Sequence, residues 1–352
     1  MAQPAVRLLP GGMVPGTGLA GRRLVAGLLV GVGILLVTMV LSIALGARVV
    51  PLGSVLDAFV AFQPHADDHI VVRELRLPRT LVGLAVGTAL GVAGVLMQAL
   101  TRNPLAEPGI LGVNQGAAFG LVVAVAGFGV TSPWGFIWFT FAGAALATGA
   151  VYAVVARGKE GASPVRLILA GVAVTYVLSG LIHAVVLSST STFDRYRSWI
   201  LGSLADTEVT ELVALAPFLA VGGLVAVGLV RALNALALGD ETARALGVRR
   251  GWVRIGGAVA VTLLCGTATA LAGPIVFLGL VVPYIARLLT GPDYRWLLPY
   301  SAVLAPAMLL AADVLGRLIA RPMEISVGLV VAFVGAPVLI VLVRRRGRLP
   351  RL

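Results

Sequence analysis

The sequence predicts an all-α polytopic membrane protein with ten transmembrane helices. Three observations lead there. Of the 352 residues 59% are hydrophobic and 12% charged, with a mean hydropathy of +1.01, far from the roughly half apolar and one-quarter charged make-up of soluble chains. Polar gaps divide the chain into apolar blocks close to the ~20 residues that cross a bilayer as a helix. Every polar interval between blocks is too short to hold a second soluble domain.

In order, the blocks run over 24–45, 81–100, 109–128, 134–156, 166–188, 211–231, 255–273, 275–289, 297–315 and 325–343. The first is longer than the ~7–15 residues of a signal core and has no small-residue cleavage site after it. It is expected to stay in the mature protein. Gly83, Gly87 and Gly91 recur every four residues in the second block, as do Gly27 with Gly31 and Gly116 with Gly120, a spacing that lets membrane helices approach closely. Between the second and third blocks "NPLAEPG" (103–109) bends the chain, with Asn103 capping backbone groups. The eighth is short and carries Pro283, tolerable in a membrane helix only where neighbouring protein satisfies the freed carbonyl. Residues 1–23, rich in Gly, Pro and Arg, read as a cytoplasmic tail. Residues 24–343 form the ten-helix domain, with a charged loop at 232–252, and 344–352 a second cytoplasmic tail.

An even number of spans puts both termini on one side. With the termini cytoplasmic, 19 of the 27 lysines and arginines fall in inner segments and 8 in outer ones, as the positive-inside rule requires. The net charge of +12 is therefore a topology signal, and no aromatic-interleaved basic patch points to nucleic acid. The single cysteine, Cys265, lies in an apolar block and reads as a buried inert thiol.

Several chemistries are missing. The only Gly-Lys pair, Gly158 and Lys159, has Ala153 where a phosphate-binding loop needs its first glycine, so the chain is not expected to be its own ATPase. No Ser, His and Asp set suggests a hydrolase, and no Cys or His cluster has structural metal spacing. "HADDH" (His65–His69) could hold a metal, yet reads better as a solvated loop because nothing fixes the ligands. Among the acids only Asp313 falls clearly inside an apolar block, near its outer end, so the midplane carboxylates of proton-coupled carriers are not visible.

Two charged stretches stand out against this background. "DETARAL" after Gly239 reads as a short helix: acids occupy its first turn, Asp240 and Arg244 stand at i, i+4, and Gly247 can close it. Seven residues span only ~10 Å, so it lies outside the membrane, between Arg231 and the trio Arg249, Arg250 and Arg254. On the outer side, "RELRLPRT" places Pro78 in the first turn of the second span and biases Leu77 away from helix. Arg76 and Arg79 then sit at a helix start, where the dipole disfavours cations. A row of outward guanidinium groups suits bidentate capture of carboxylates on a partner; phosphates of lipid headgroups are the competing reading.

Four stretches together carry a family resemblance: "RLPRTLVGLAVGTALGVAGVLMQALTRNPLAEPGILGVNQGAAFG" (76–120), "LALGDETARALGV" (236–248), "LAGPIVFLGLVVPYIARLL" (271–289) and "LLAADVLGRL" (309–318). From about residue 24 to the C-terminus the chain resembles the FecCD-type permeases of ABC importers, the group that transports iron siderophores, haem and cobalamin. The resemblance implies a type II ABC importer permease fold in a bacterial cytoplasmic membrane, pairing with a second permease copy around a central pathway. It implies two ATPase subunits on the cytoplasmic face, which bind the ATP and Mg, an external substrate-binding protein, and no cofactor on this chain. It places ATPase coupling at Leu238, Gly239, Asp240, Glu241, Ala243, Arg244, Leu246 and Gly247. Docking of the binding protein falls on Arg76, Arg79 and Arg317, with Arg73 and Arg321 as weaker candidates. The interval "GKEGASPVR" departs from the hydroxyl-bearing cytoplasmic gate of the cobalamin permease.

Polar residues in otherwise apolar spans are the candidates for the pathway: Gln98, Asn114, Gln115, Thr175 and His183, each of which could equally bond a neighbouring helix. A lining with so few charges fits a bulky chelate, with ferric siderophore first and haem or cobalamin as alternatives. An ion-gradient-driven carrier and a non-transporting scaffold are the rivals from other classes. Both leave the charged loop and the arginine row without a purpose.

Overall fold

The computed structural model describes residues 17–156, 164–205 and 207–344, all helices and connections with no strand among them. The expected tails lie largely outside these residues, as does most of "GKEGASPVR"; the first helix already begins at Thr17, seven residues before the expected span. In chain order the helices are α1 (Thr17–Ala44), α2 (Leu52–Val60), α3 (Asp67–Ile70), α4 (Leu77–Thr101), α5 (Val113–Val122), α6 (Pro133–Ala156) and α7 (Pro164–Val186). They continue with α8 (Thr190–Ile200), α9 (Val209–Ala237), α10 (Asp240–Ala245), α11 (Arg250–Ala272), α12 (Leu278–Thr290), α13 (Tyr294–Ile319) and α14 (Val327–Arg344).

Seven helices are long and apolar enough to cross a bilayer, and three shorter apolar ones, at Val113–Gly127, Leu278–Thr290 and Val327–Val341, match the remaining expected spans. All ten apolar blocks are therefore helical. The centre is α4 and α11, whose most apolar stretches are 78% and 72% buried, against 6% for α1 and 17% for α9. Glycine decides this arrangement. A Cβ at Gly87 would collide with the backbone of Pro306 in α13, and one at Gly94 with the backbone of Gly279 in α12. Both partner helices thus sit against α4 at backbone distance, where dispersion between close-packed backbones replaces a hydrophobic driving force that lipid cannot supply.

Two expectations change at the ends of α4. The sequence predicts a helix start near Pro78, but α3 runs through a π-helical segment at Val71–Arg76 into α4, giving a helix of 35 residues from Asp67 to Thr101. Leu77 is helical at φ −66, ψ −51. The wider π turn accommodates a proline ring that would clash with an α-helical carbonyl. At the other end Arg102 adopts φ +50 and the chain turns, with Asn103 Oδ1 accepting the Leu105 N–H at 3.1 Å.

The short α12 covers only ~20 Å, and the non-helical segment Gly273–Phe277 leads into it. Backbone of that kind is tolerated within a membrane only where protein surrounds it. The carboxylate of Glu107 accepts the Phe277 N–H at 2.8 Å, and Ser203 N–H donates to the Ala272 carbonyl at 2.8 Å.

Candidate functional site

The charged loop forms a helix of six residues, α10, presented at the end of the bundle where α4, α9 and α12 finish. Its termini are built by glycine. Gly239 at φ +104 precedes it and Gly247 at φ +76 follows it, conformations that cost any other residue a steric penalty. Gly247 N–H bonds to the Arg244 carbonyl and Val248 N–H to the Ala243 carbonyl, both at 2.9 Å, the paired bonds of a Schellman ending. Ala243 is fully buried against the bundle while Glu241 and Arg244 are exposed. Leu238 and Leu246 flank the helix at 69% and 63% exposure. These two exposed leucines leave apolar area that a partner can cover. The side chain of Asp240 lies outside the described set.

At the opposite end the arginines face inward, which corrects the expected outward row. Arg76, Arg79 and Arg317 are 4%, 8% and 1% exposed. Arg76 donates to the carbonyls of Ile43, Ala44 and Arg48 at 2.9, 2.7 and 2.6 Å. Arg317 donates to those of Ser42 and Leu45, each at 3.0 Å. Both therefore cap the carbonyl end of α1, where the helix dipole favours cations. Arg76, expected to rest at a helix start, instead satisfies a helix finish remote in sequence, as Arg317 does. Arg79 donates from Nε to both Asp313 oxygens at 3.1 and 3.0 Å and from Nη2 at 2.7 Å, while its Nη1 meets Glu324 at 2.6 Å. Arg317 Nη2 lies 3.0 Å from the second Asp313 oxygen. One fully buried carboxylate thus pairs with two buried guanidinium groups, and Glu324 supplies the second negative charge. Beside this network three arginines stay on the surface: Arg73, over the Phe62 ring, Arg321, which donates to the Gly46 carbonyl at 2.8 Å, and Arg48.

The "HADDH" stretch is a loop only in part, with His65 in a turn and Ala66 ahead of the helix. Its last residues enter α3, Arg48 bridges Asp67 and Asp68 at 3.5 and 3.0 Å, and His69 Nδ1 accepts the Gln63 N–H at 3.0 Å. Asp67, Asp68 and His69 already have other partners.

The polar pathway candidates separate into groups. Asn114 and Gln115 line one cavity of about 280 Å³ with Trp199, Pro274, Val276 and Leu329, and Thr269 donates to Asn114 Oδ1 at 3.2 Å. Thr175 packs beside Gly112, one turn away from that pair. Gln98 lies apart and is fully buried, its Nε2 donating to the Leu280 carbonyl at 3.2 Å across α4 and α12. His183 stands on the exposed face of α7 with Nδ1 2.6 Å from the Ser179 carbonyl. Sequence reasoning missed Glu107, Glu324 and Ser42 altogether; Asp313, alone among acids in its apolar block, was the available signal for the network.

Comparison with known proteins agrees with this architecture. A profile of the FecCD transport family matches residues 34–345. Relatives include the ferric enterobactin transport system permease protein FepD of Escherichia coli strain K12, 48% identical over 90% of this chain and 94% of that protein. The vitamin B12 import system permease protein BtuC of Klebsiella pneumoniae is 39% identical over 90% and 92%. Among solved structures, a metal-chelate type ABC transporter in an inward-facing conformation aligns with TM-score 0.78 and 28% identity, over 92% of this chain and 99% of that one. With its helices, short spans and charged loop in the order seen here, the chain belongs to the FecCD transport family and is a membrane permease of the ABC importer type.

Proposed function

We propose that this chain imports ferric siderophores, as one of two identical permease subunits in a complex with two ATPases and an external binding protein. The observation that carries the cargo is the 48% identity, across nearly the whole length, with a ferric enterobactin permease, against 39% with a vitamin B12 permease. The termini and α10 lie in the cytoplasm, as the distribution of basic residues supports. Each α10 seats in a cleft of an ATPase, with Leu238 and Leu246 covered by the partner and Glu241 and Arg244 at its rim. ATP binding closes the ATPases, moves α10 and shifts the permease between outward and inward openings, which requires ATP to favour one state over the other. Power comes from the partners, since the chain carries no phosphate-binding loop of its own.

At the outer end, acidic residues of the loaded binding protein meet Arg73 and Arg321 first. Arg79 takes part by exchanging Glu324, itself about one-third exposed, for a partner carboxylate, while Arg76 and Arg317 hold α1 in place beneath it. The cavity at Asn114 and Gln115, with Thr175 nearby and the exposed face of α7 opposite, forms half of the pathway wall. The second copy supplies the other half. ATPase stimulation of the reconstituted complex by binding proteins loaded separately with ferric siderophore, haem and cobalamin tests the assignment. Stimulation by the siderophore-loaded protein alone is expected; stimulation only by one of the others removes siderophore as the cargo.

A further inference from the structure

On the outer side the short helix α2 carries an apolar face left open among the described residues. Leu52, Leu56, Phe59 and Val60 are 69%, 68%, 49% and 88% exposed, and they follow one another at i, i+4, i+7 and i+8, the spacing of one helical stripe. The polar residues Ser54 and Asp57 fall on the other side of the helix at 100° per residue. Between the two lie Val55 and Ala58, buried in a small cluster with Val50 and Val72 and flanked by Ile43 and Val71. The helix is thus packed on the protein along one strip, and its largest apolar side chains are turned away.

The height of α2 is set by α1. Arg22 and Arg23 mark the inner end of that span, and from Leu24 to Ala44 the helix rises roughly 30 Å, the ~30 Å thickness of the hydrocarbon core. Ala44 therefore stands at the outer edge of the lipid chains. The link onward cannot climb away, because Arg317 holds the Leu45 carbonyl, Arg321 that of Gly46 and Arg76 that of Arg48. α1 is itself a lipid-facing helix, its most apolar stretch only 6% buried, with Val37, Val40 and Leu41 exposed just before the link. We propose that α2 continues this surface and lies in the outer interface of the bilayer, with Leu52, Leu56, Phe59 and Val60 among the lipid chains and Asp57 toward water, the posture of a short amphipathic helix at a membrane. A second permease copy is not the cover: α1 packs on α13 and α4, whereas the wall assigned to that copy is at α5 and α7. The stripe also bears no charge for the carboxylates of a binding protein to meet. Since α2 packs on the π-helical segment that carries Arg76, the bilayer surface braces the platform that holds the end of α1.

The test uses the full chain in phosphatidylcholine nanodiscs, with an environment-sensitive fluorophore attached to the thiol of Leu56→Cys or of Asp57→Cys. Cys265 is buried, so labelling of the unmodified chain supplies the blank. Each label is exposed in turn to iodide in the water and to phosphatidylcholine brominated near the top of its acyl chains. At Leu56 the brominated lipid should quench, and quenching by iodide should be about threefold or more weaker than at Asp57. Should Leu56→Cys fail to fold, Val60→Cys is read against Asp57→Cys in the same way. Equal quenching by iodide at the two positions puts the stripe in water and overturns the proposal. So does a Leu56 label shielded from both quenchers, which would mean that a second copy of the chain covers the stripe.

Discussion

Replacing Asp313 with Asn strands two guanidinium groups in the interior of the outer end. Asp313 is fully buried and receives Arg79 through Nε at 3.0 and 3.1 Å and Nη2 at 2.7 Å, and Arg317 through Nη2 at 3.0 Å. Removing one partner of a buried charge pair costs about 3–5 kcal/mol, most of it the desolvated charge left behind. Here the lower end applies. Glu324 still holds Arg79, and the carbonyls of Ser42 and Leu45 still hold Arg317, so the loss should be about 3 kcal/mol. At roughly 2–4 °C per kcal/mol for a chain of a few hundred residues, the melting temperature of the purified permease, followed by tryptophan fluorescence, falls by about 6 °C or more. The same substitution made on an Arg79→Met background should cost less by about 1 kcal/mol or more, because the contact is already gone. Strict additivity of the two changes, or an Asp313→Asn melt equal to wild type, refutes the network.

Other perturbations follow from the same geometry. Glu107→Ala leaves the Phe277 N–H without its acceptor inside the bundle and should cost about 1–3 kcal/mol, while Glu107→Gln keeps a carbonyl there and should cost less; a thermal melt ranks them. Gly94→Val drives a side chain into the Gly279 backbone and should abolish a monodisperse fold on size exclusion, whereas Gly149→Ala, which meets open space, should leave it unchanged. Arg48→Ala removes an exposed bridge to Asp67 and Asp68 and should shift stability by less than about 1 kcal/mol, with an effect that shrinks in high salt. Reversal of Arg73 and Arg321 to Glu gives up the Gly46 hydrogen bond and the Phe62 contact, a loss of about 1–2 kcal/mol, and should weaken capture of the loaded binding protein in a pull-down at a temperature where the variant is folded; equal capture removes them from the docking face.

What the sequence made legible follows the range of the interactions involved. Each apolar block became a helix because hydropathy is a local property. The ends of α10 were equally readable, since Gly239 and Gly247 meet a backbone need within a few residues of themselves. The arginines were misjudged for the opposite reason. Arg76 and Arg317 serve carbonyls at and just beyond the end of α1, which are 28–33 and 272–275 positions away, and no local pattern links a guanidinium to a helix end that distant. Pro78 misled in a smaller way, because a π-helical segment absorbs the ring without ending the helix. Arg287 was counted among the inner-side charges that orient the chain. Only packing reveals that its guanidinium nitrogens are sealed from water.

The account depends most on α10 as the point where outside power enters. Uptake of ferric siderophore into proteoliposomes holding the permease, its ATPases and loaded binding protein, read beside ATP hydrolysis, tests that directly when wild type is set against Arg244→Glu. The account predicts that the variant assembles at the outer face and that hydrolysis continues while uptake collapses. Undiminished uptake by the variant, or uptake by the wild-type permease with the ATPases left out, contradicts it.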